Sequence, residues 1–431
     1  MTFHIVSGRI MAQSGGTDRR SFLRLAAASG ASALLTPHTS AASEPSQSPN
    51  ERIGVGFIGT GSRCRAHQDI VLKFKEQGIA EPVAVCDVYK PRLEDAAQYC
   101  GVTKKYAEHE ALLADPNVDV VCIATPDRHH APQTIDALRA GKDVYCEKPL
   151  THWSQFELAK KVAATAAETS HLVQVGTQYM ADDNYPEIIR LIRDGIIGKP
   201  VHAMCGYFRR GDWGERMPIP DGNAKPGPDL NWKRFLGDAP DVGFSVSRFF
   251  QWRMYWDYAG GPATDLLVHM FTPVFCVLEL EYPERVFGGG GTFEYQREVP
   301  DQCNIIADYP GGPSVVLTNS LSNYVPMETV IRGTDGVIKW AMLDGPSQPD
   351  AGVRIVPFAK DKKEIRLPWK GQGDTSRLWL DLLDCVKTRR QPKCNIELAV
   401  RVQAPLSMGI ISHRESKVVK FDAKFNGFQV A

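Results

Sequence analysis

The 431-residue chain has no excess of either charge: 50 lysines and arginines stand against 50 aspartates and glutamates. Without a basic surplus it lacks the electrostatic footprint of a nucleic-acid binder. No basic cluster after the first fifty residues suits it to an anionic membrane surface. None of its ten cysteines forms a C-x-x-C pair, so neither a zinc ribbon nor a thioredoxin motif is indicated. Cys86, Cys122 and Cys146 sit inside apolar runs and read as small buried hydrophobes. No ligand spacing demands a metal. What remains is 43% hydrophobic residues, enough for two cores behind a short leader.

The leader is the stretch from Thr17 to Leu35, with Arg19-Arg20-x-Phe22-Leu23 ahead of an Ala/Leu/Ser run. It resembles a twin-arginine export signal, with small residues at Thr39–Ala42 as a cleavage site. The run is too short for a permanent membrane helix. The expected division is therefore a signal over 1–42, a Pro/Ser-rich linker over 43–50, a nucleotide-binding domain over 51–176 and a substrate-binding and oligomerisation domain over 177–431. The signal implies the export machinery as a partner and a periplasmic or otherwise exported location.

From residue 52 the pattern alternates strand and helix. The apolar run Ile53–Ile58 leads into Gly59-Thr60-Gly61-Ser62-Arg63-Cys64 and a helix, and a second strand ends at Asp87. This is a dinucleotide fingerprint in its expected context, with Cys64 in place of the third glycine. Gly59 permits the turn, Gly61 leaves room for a pyrophosphate, and Thr60, Ser62 and Arg63 open a helix whose N-terminus favours anions. Asp87 is placed to accept from both adenosine ribose hydroxyls, which favours NAD; Lys90 and Arg92 behind it leave NADP possible. Thr125-Pro126, Glu147-Lys148 and Gly176 fall at later strand ends, where such sheets bind ligands. His130 and Gln178 follow two of these ends and complete the expected cofactor-binding set. The fold class is α/β, with an N-terminal doubly wound parallel Rossmann sheet.

The Gly59-x-Gly61 turn, Ala124-Thr125-Pro126 with His130, the strand end Glu147-Lys148-Pro149, and Gly260-Gly261 followed by Asp265-x-x-x-His269 together resemble the glucose–fructose oxidoreductase / inositol dehydrogenase / MocA family. The likeness extends from Arg52 to the C-terminus, with Cys64 and Arg128-His129 as departures. It implies a C-terminal α/β domain with an open, mostly antiparallel sheet, and a homo-oligomer formed through that sheet. The alternation in 201–208, 304–309 and 314–319 fits such strands. Residues 378–387 and 397–411 read as late helices returning to the first domain. The glycines at 288–291 read as a flexible edge or bulge without assigned function.

Oxidising a secondary alcohol of a sugar, inositol or related polyol requires a hydride acceptor and a base. On a helix, Asp265 and His269 share one face. His269 is then suited as a base near neutral pH, Asp265 as its orienter or a sugar contact, and Lys148 as the stabiliser of alkoxide charge; the family resemblance implies the same roles. Tyr179, Arg253 and Tyr258 join Lys148, Asp265 and His269 as candidate substrate contacts. Two alternatives stand beside the dehydrogenase: an NAD-dependent glycosidase working by transient oxidation and elimination, and a non-catalytic sugar-binding relative. An exported enzyme of this kind is expected to carry its NAD tightly bound.

Overall fold

A computed structural model describes residues 52–212, 215–341 and 351–430. The leader and linker read from the sequence, and Trp213, lie outside the described residues.

Six strands form the first sheet: β1 (Ile53–Ile58), β2 (Ala80–Cys86), β3 (Lys105–Tyr106), β4 (Val120–Ile123), β5 (Asp143–Cys146) and β6 (Val173–Val175). Every residue of β1, β4, β5 and β6 is buried. That is why β1 and β4 read as unbroken apolar runs, a parallel sheet covered on both faces having no polar side, while Asp143 of β5 and Gln174 of β6 are buried polar exceptions. The order is β3-β2-β1-β4-β5-β6, all pairs parallel. This is the doubly wound order, with its crevice at the carboxyl ends of β1 and β4 where the winding reverses.

The second sheet has ten strands: β7 (Pro200–Phe208), β8 (Arg285–Gly291), β9 (Gln302–Asp308), β10 (Ser314–Ser320), β11 (Thr329–Gly333), β12 (Gly336–Ala341), β13 (Gly352–Pro357), β14 (Ile365–Pro368), β15 (Val419–Asp422) and β16 (Gly427–Val430). Their order is β14-β13-β12-β11-β7-β10-β9-β8-β15-β16, and every pair but β7–β10 is antiparallel. In β9, Cys303, Ile305 and Ala307 are buried while Asn304 and Ile306 are exposed, the period of a sheet packed on one face. The helices Leu267–Val277 and Ile396–Glu415 cover that face.

The glycines at 288–291 are not a bulge, but they do form a local edge of the sheet. They belong to β8 and pair in unbroken register with β9, while β15 pairs with β8 only at Arg285 and Val286. A Cβ on Gly288 would lie 1.8 Å from the Gly409 carbonyl oxygen, so the glycine lets the helix Ile396–Glu415 sit directly on the strand. The two late helices are longer than the sequence pattern suggests, Thr375–Thr388 and Ile396–Glu415; Asp374 and Asn395 cap them through Ser376 N–H and Leu398 N–H. Both return to the first domain. Gln174 at β6 donates to the Leu378 carbonyl (3.1 Å) and accepts from Cys394 N–H (3.1 Å).

All ten cysteines are free, and nine are buried. No helix among the described residues is long and apolar enough to cross a membrane.

Candidate active site

The glycine turn is held by the acid that ends β2. Asp87 Oδ2 accepts from Thr60 N–H (2.8 Å) and Thr60 Oγ1 (3.0 Å), while Oδ1 accepts from Tyr89 N–H (2.9 Å). The residue expected to meet the ribose thus also fixes the phosphate turn. Gly59 has φ +80°, and a Cβ there would strike Thr125 at 2.6 Å. A Cβ on Gly61 would meet no atom within 4 Å. Gly61 also starts the helix Ser62–Glu76 without a side-chain cap, so the first-turn N–H groups stay available to a ligand. Cys64 is fully buried beside Cys122 of β4; the small thiol permits the close helix–strand packing that the missing glycine would have given.

These groups open on a cavity of about 850 Å³. Gly59, Gly61, Ser62, Arg63, Asp87, Thr125 and Pro126 line one wall. The other wall comes from further along the chain, including Lys233, Arg234, Phe250 and Arg253. The empty space at Gly61, the uncapped helix and the acid at the β2 end fit a dinucleotide: pyrophosphate at the helix start, adenosine toward Asp87, nicotinamide toward Thr125 and Arg253.

Arg253 closes the inner end. Its guanidinium lies 4.2 Å over the Trp252 ring and 3.6 Å from Asp265 Oδ1. Behind it stands the buried cluster expected to be catalytic. Lys148 Nζ donates to Asp265 Oδ1 (2.5 Å) and to the Asp265 carbonyl (2.8 Å), which joins the two domains. Burial alone would raise the Asp265 pKa, but Lys148 and Arg253 hold it well below the usual carboxylate range. His269 is buried, its Nδ1 without a hydrogen-bond partner and its ring 5.7 Å from Tyr179.

Two expectations about this pair need correction. Asp265 and His269 do not lie on one continuous helix: Pro262–Asp265 ends at Leu266, and Leu267–Val277 begins after it. Nor is His269 poised near neutrality. Burial, reinforced by the Lys148 charge, lowers it to about 3, so it stays neutral.

Two other candidates are structural. His130 faces carbonyl oxygens at both ring nitrogens, Pro149 at 2.6 Å and Thr125 at 2.8 Å, and braces those strand ends rather than contacting a ligand. Tyr258 is buried in an apolar cluster with Phe235 and Phe249, away from the expected substrate position. Gln178 opens the 3₁₀ turn Gln178–Ala181 after β6, next to Tyr179, and does not line the cavity.

Glu147 is committed inward. Its Oε1 accepts from Arg63 Nε (2.8 Å) and lies 2.9 Å from His67 Nε2. Burial would raise this carboxyl, but Arg63, His67 and Lys148 hold it well below its ordinary value. A Cβ on Gly176 would meet Glu147 Oε1 at 2.9 Å, which explains the glycine at the end of β6.

One acid of the cluster was missed by sequence reasoning. Glu215 is fully buried, with Arg297 Nη2 at 3.1 Å and Arg209 Nη2 at 3.5 Å. Burial and the neighbouring Asp265 raise it to about 7. It lies in a loop without periodicity, and no spacing signals it. Asp127 is likewise buried, its carboxyl raised well above the usual range by burial and by Asp265.

Residues 53–177 match the model described as oxidoreductase family, NAD-binding Rossmann fold, and 234–339 match the GFO/IDH/MocA C-terminal domain; together they take in more than half of the chain. An inositol 2-dehydrogenase of Rubrobacter xylanophilus is 34% identical over 164 residues, 38% of this chain and 46% of that one. An alpha-N-acetylgalactosaminidase of Tannerella forsythia is 29% identical over 213 residues, 44% of each chain. The chain thus spans less than half the length of these curated relatives. The WlbA dehydrogenase of Bordetella pertussis, solved in complex with NADH and UDP-GlcNAcA, superposes with a TM-score of 0.63 at 18% identity, covering 86% of this chain and 99% of that one. Sequence motifs, sheet order and both domain matches converge: the chain belongs to the glucose–fructose oxidoreductase / inositol dehydrogenase / MocA family, and its first domain is an NAD-binding Rossmann domain.

Proposed function

We propose that the protein is an NAD-dependent oxidoreductase acting on a secondary alcohol of a sugar, inositol or related polyol. The observation that carries this reading is the Lys148–Asp265 contact between the two domains, buried behind Arg253, which lines the inner end of a dinucleotide-sized cavity. When bound, NAD supplies the hydride acceptor. Gly59, Gly61, Ser62 and Arg63 hold its pyrophosphate end and Asp87 its adenosine ribose. Lys148 donates to the reacting oxygen and stabilises negative charge as it develops. His269, neutral beside Lys148, contacts the substrate hydroxyl. Because its pKa is about 3, it does not keep a proton at neutral pH; of the neighbouring acids, Glu215 at about 7 titrates nearest neutrality. Arg253, at the cavity end, orients substrate hydroxyls.

The test is replacement of Lys148 or His269 by alanine in protein loaded with NAD and offered a panel of sugars and inositols. Turnover is expected to fall by about 10²-fold or more while nucleotide stays bound. Turnover near the wild-type rate in both variants refutes the assignment.

A second reading, an NAD-dependent glycosidase in which oxidation is transient, is favoured by the likeness to the Tannerella enzyme. Aglycone release from aryl glycosides without net formation of reduced nicotinamide distinguishes it. Export through a twin-arginine signal belongs to the same proposal: a protein that folds around NAD and leaves the cytoplasm with it contains nucleotide when purified from the periplasm. A homo-oligomer through the outer face of the second sheet, where Val201, Phe287 and Ile306 are exposed, completes it.

A further inference from the structure

A chain of buried hydrogen bonds runs from the C-terminal part of the protein to the glycine turn. Trp379, fully buried on the helix Thr375–Thr388, donates its indole N–H to His67 Nδ1 at 2.9 Å. An indole nitrogen only donates, so His67 Nδ1 is the acceptor and bears no proton. A neutral imidazole then carries its hydrogen on Nε2. That nitrogen lies 2.9 Å from Glu147 Oε1, to which it donates. The same oxygen accepts from Arg63 Nε at 2.8 Å, with Nη2 of the guanidinium 2.7 Å away as an ion pair. Arg63 lies just beyond Gly61 in the cavity wall. Tyr145 stacks on Trp379 at 4.6 Å and 7°, and the His67 ring tilts against Tyr145 at 4.9 Å, so each ring in the relay is fixed by packing as well.

No other tautomer satisfies both contacts. With the hydrogen on Nδ1, His67 would meet the indole N–H donor to donor, and a bare Nε2 would face a carboxylate oxygen. Trp379 and Glu147 thus fix the same tautomer from opposite sides of the ring, and Glu147 in turn holds the Arg63 guanidinium.

We propose that Trp379 is a positioning residue for the dinucleotide site, acting through the tautomer of His67 and the carboxylate of Glu147 to hold Arg63 against the pyrophosphate. The proposal rests on the dinucleotide reading of the cavity. It assigns the helix Thr375–Thr388, whose Trp379 lies 312 positions beyond His67, a part in cofactor affinity.

The test is a double-mutant cycle read by NADH fluorescence titration of the full chain after removal of retained nucleotide, so that no turnover is needed. Trp379→Phe keeps a ring beside Tyr145 and removes the N–H. It is expected to weaken NADH binding by about tenfold, the scale of a lost hydrogen bond in a charged network. In a Glu147→Gln background the same substitution is expected to have no further effect, because its route is already cut. Unchanged affinity in Trp379→Phe, or equal weakening in both backgrounds, overturns the proposal. A wild-type chain that binds no NADH overturns the dinucleotide reading and this proposal with it. Should Trp379→Phe fail to fold, nitrogen NMR of the histidine-labelled wild type decides: a neutral His67 protonated at Nε2 supports the relay, and a proton at Nδ1 overturns it.

Discussion

At the scale of single residues, the buried cluster separates two groups that the sequence alone would treat alike as titratable. His269 is held at about 3 and stays neutral through the physiological range, whereas Glu215 ionises at about 7. An inflection in turnover near neutrality is expected to arise from Glu215, and Glu215→Gln to remove it from the pH–rate profile; an inflection that survives the substitution assigns it elsewhere. The same group links stability to pH. Its pKa is raised on folding from an ordinary 4.5, so the folded chain binds this proton more tightly than the unfolded chain does. That contribution is complete below about pH 4.5 and is lost as pH rises through about 7. Glu215→Gln stays neutral throughout. Its melting temperature relative to wild type is thus expected to rise between pH 5 and pH 8, by roughly 2–4 °C. A difference that stays constant across that range contradicts the assignment.

At the scale of elements, the packing of the helix Ile396–Glu415 on β8 rests on two glycines facing each other. A methyl group on Gly288 would enter the Gly409 carbonyl, whereas one on Gly289 would meet nothing within 4 Å. Gly288→Ala is expected to cost on the order of 3 kcal/mol, as overpacking against backbone does, and Gly289→Ala less than about 1 kcal/mol. Urea denaturation of the two variants checks this, and equal costs would show that the contact does not govern the packing. The contrast also explains what could be read without the structure. Strands β1 and β4 were legible because burial on both faces leaves an apolar run, and the Gly59–Gly61 turn because it stands between such a strand and a helix. The glycines of β8 were not, because their reason is the backbone of a helix far along the chain. D-x-x-x-H located Asp265 and His269 but not the break at Leu266, nor the Lys148 charge that, added to burial, takes His269 below the useful range of a base. Glu215, Arg209 and Arg297 converge only in three dimensions, as do Trp379 and His67, so neither group leaves a local pattern.

At the scale of the whole molecule, one wall of the cavity is a strap, residues 215–259, that leaves the second domain and lies across the first. Its apolar side packs Trp232, Phe235, Phe249 and Phe250 around Tyr89 of the nucleotide-binding domain. Polar contacts fasten it along the cavity: Asn231 N–H donates to the Val88 carbonyl (2.9 Å), and Arg234 pairs with Glu110. The residues that set the sequence apart just before His130 have their place here. Arg128 donates to the Asp257 carbonyl (2.6 Å) and to Asp238 (3.0 Å), and His129 Nε2 lies 2.6 Å from the Phe235 carbonyl. Burial holds His129 at about 4, so it is neutral, and Nε2–H donates to that carbonyl. Arg128 does not line the cavity, yet it ties both ends of the strap's central stretch to the first domain. If release of a ligand requires the strap to lift, its rate is set by such contacts. Arg128→Ala removes two of them, one to an exposed carboxylate and one to a backbone carbonyl. Loss of bound NADH, followed by displacement with excess NAD, is expected to speed up by about tenfold, with a smaller change in the rate of association. Equal release rates in wild type and Arg128→Ala would mean that the cofactor leaves by a path the strap does not guard.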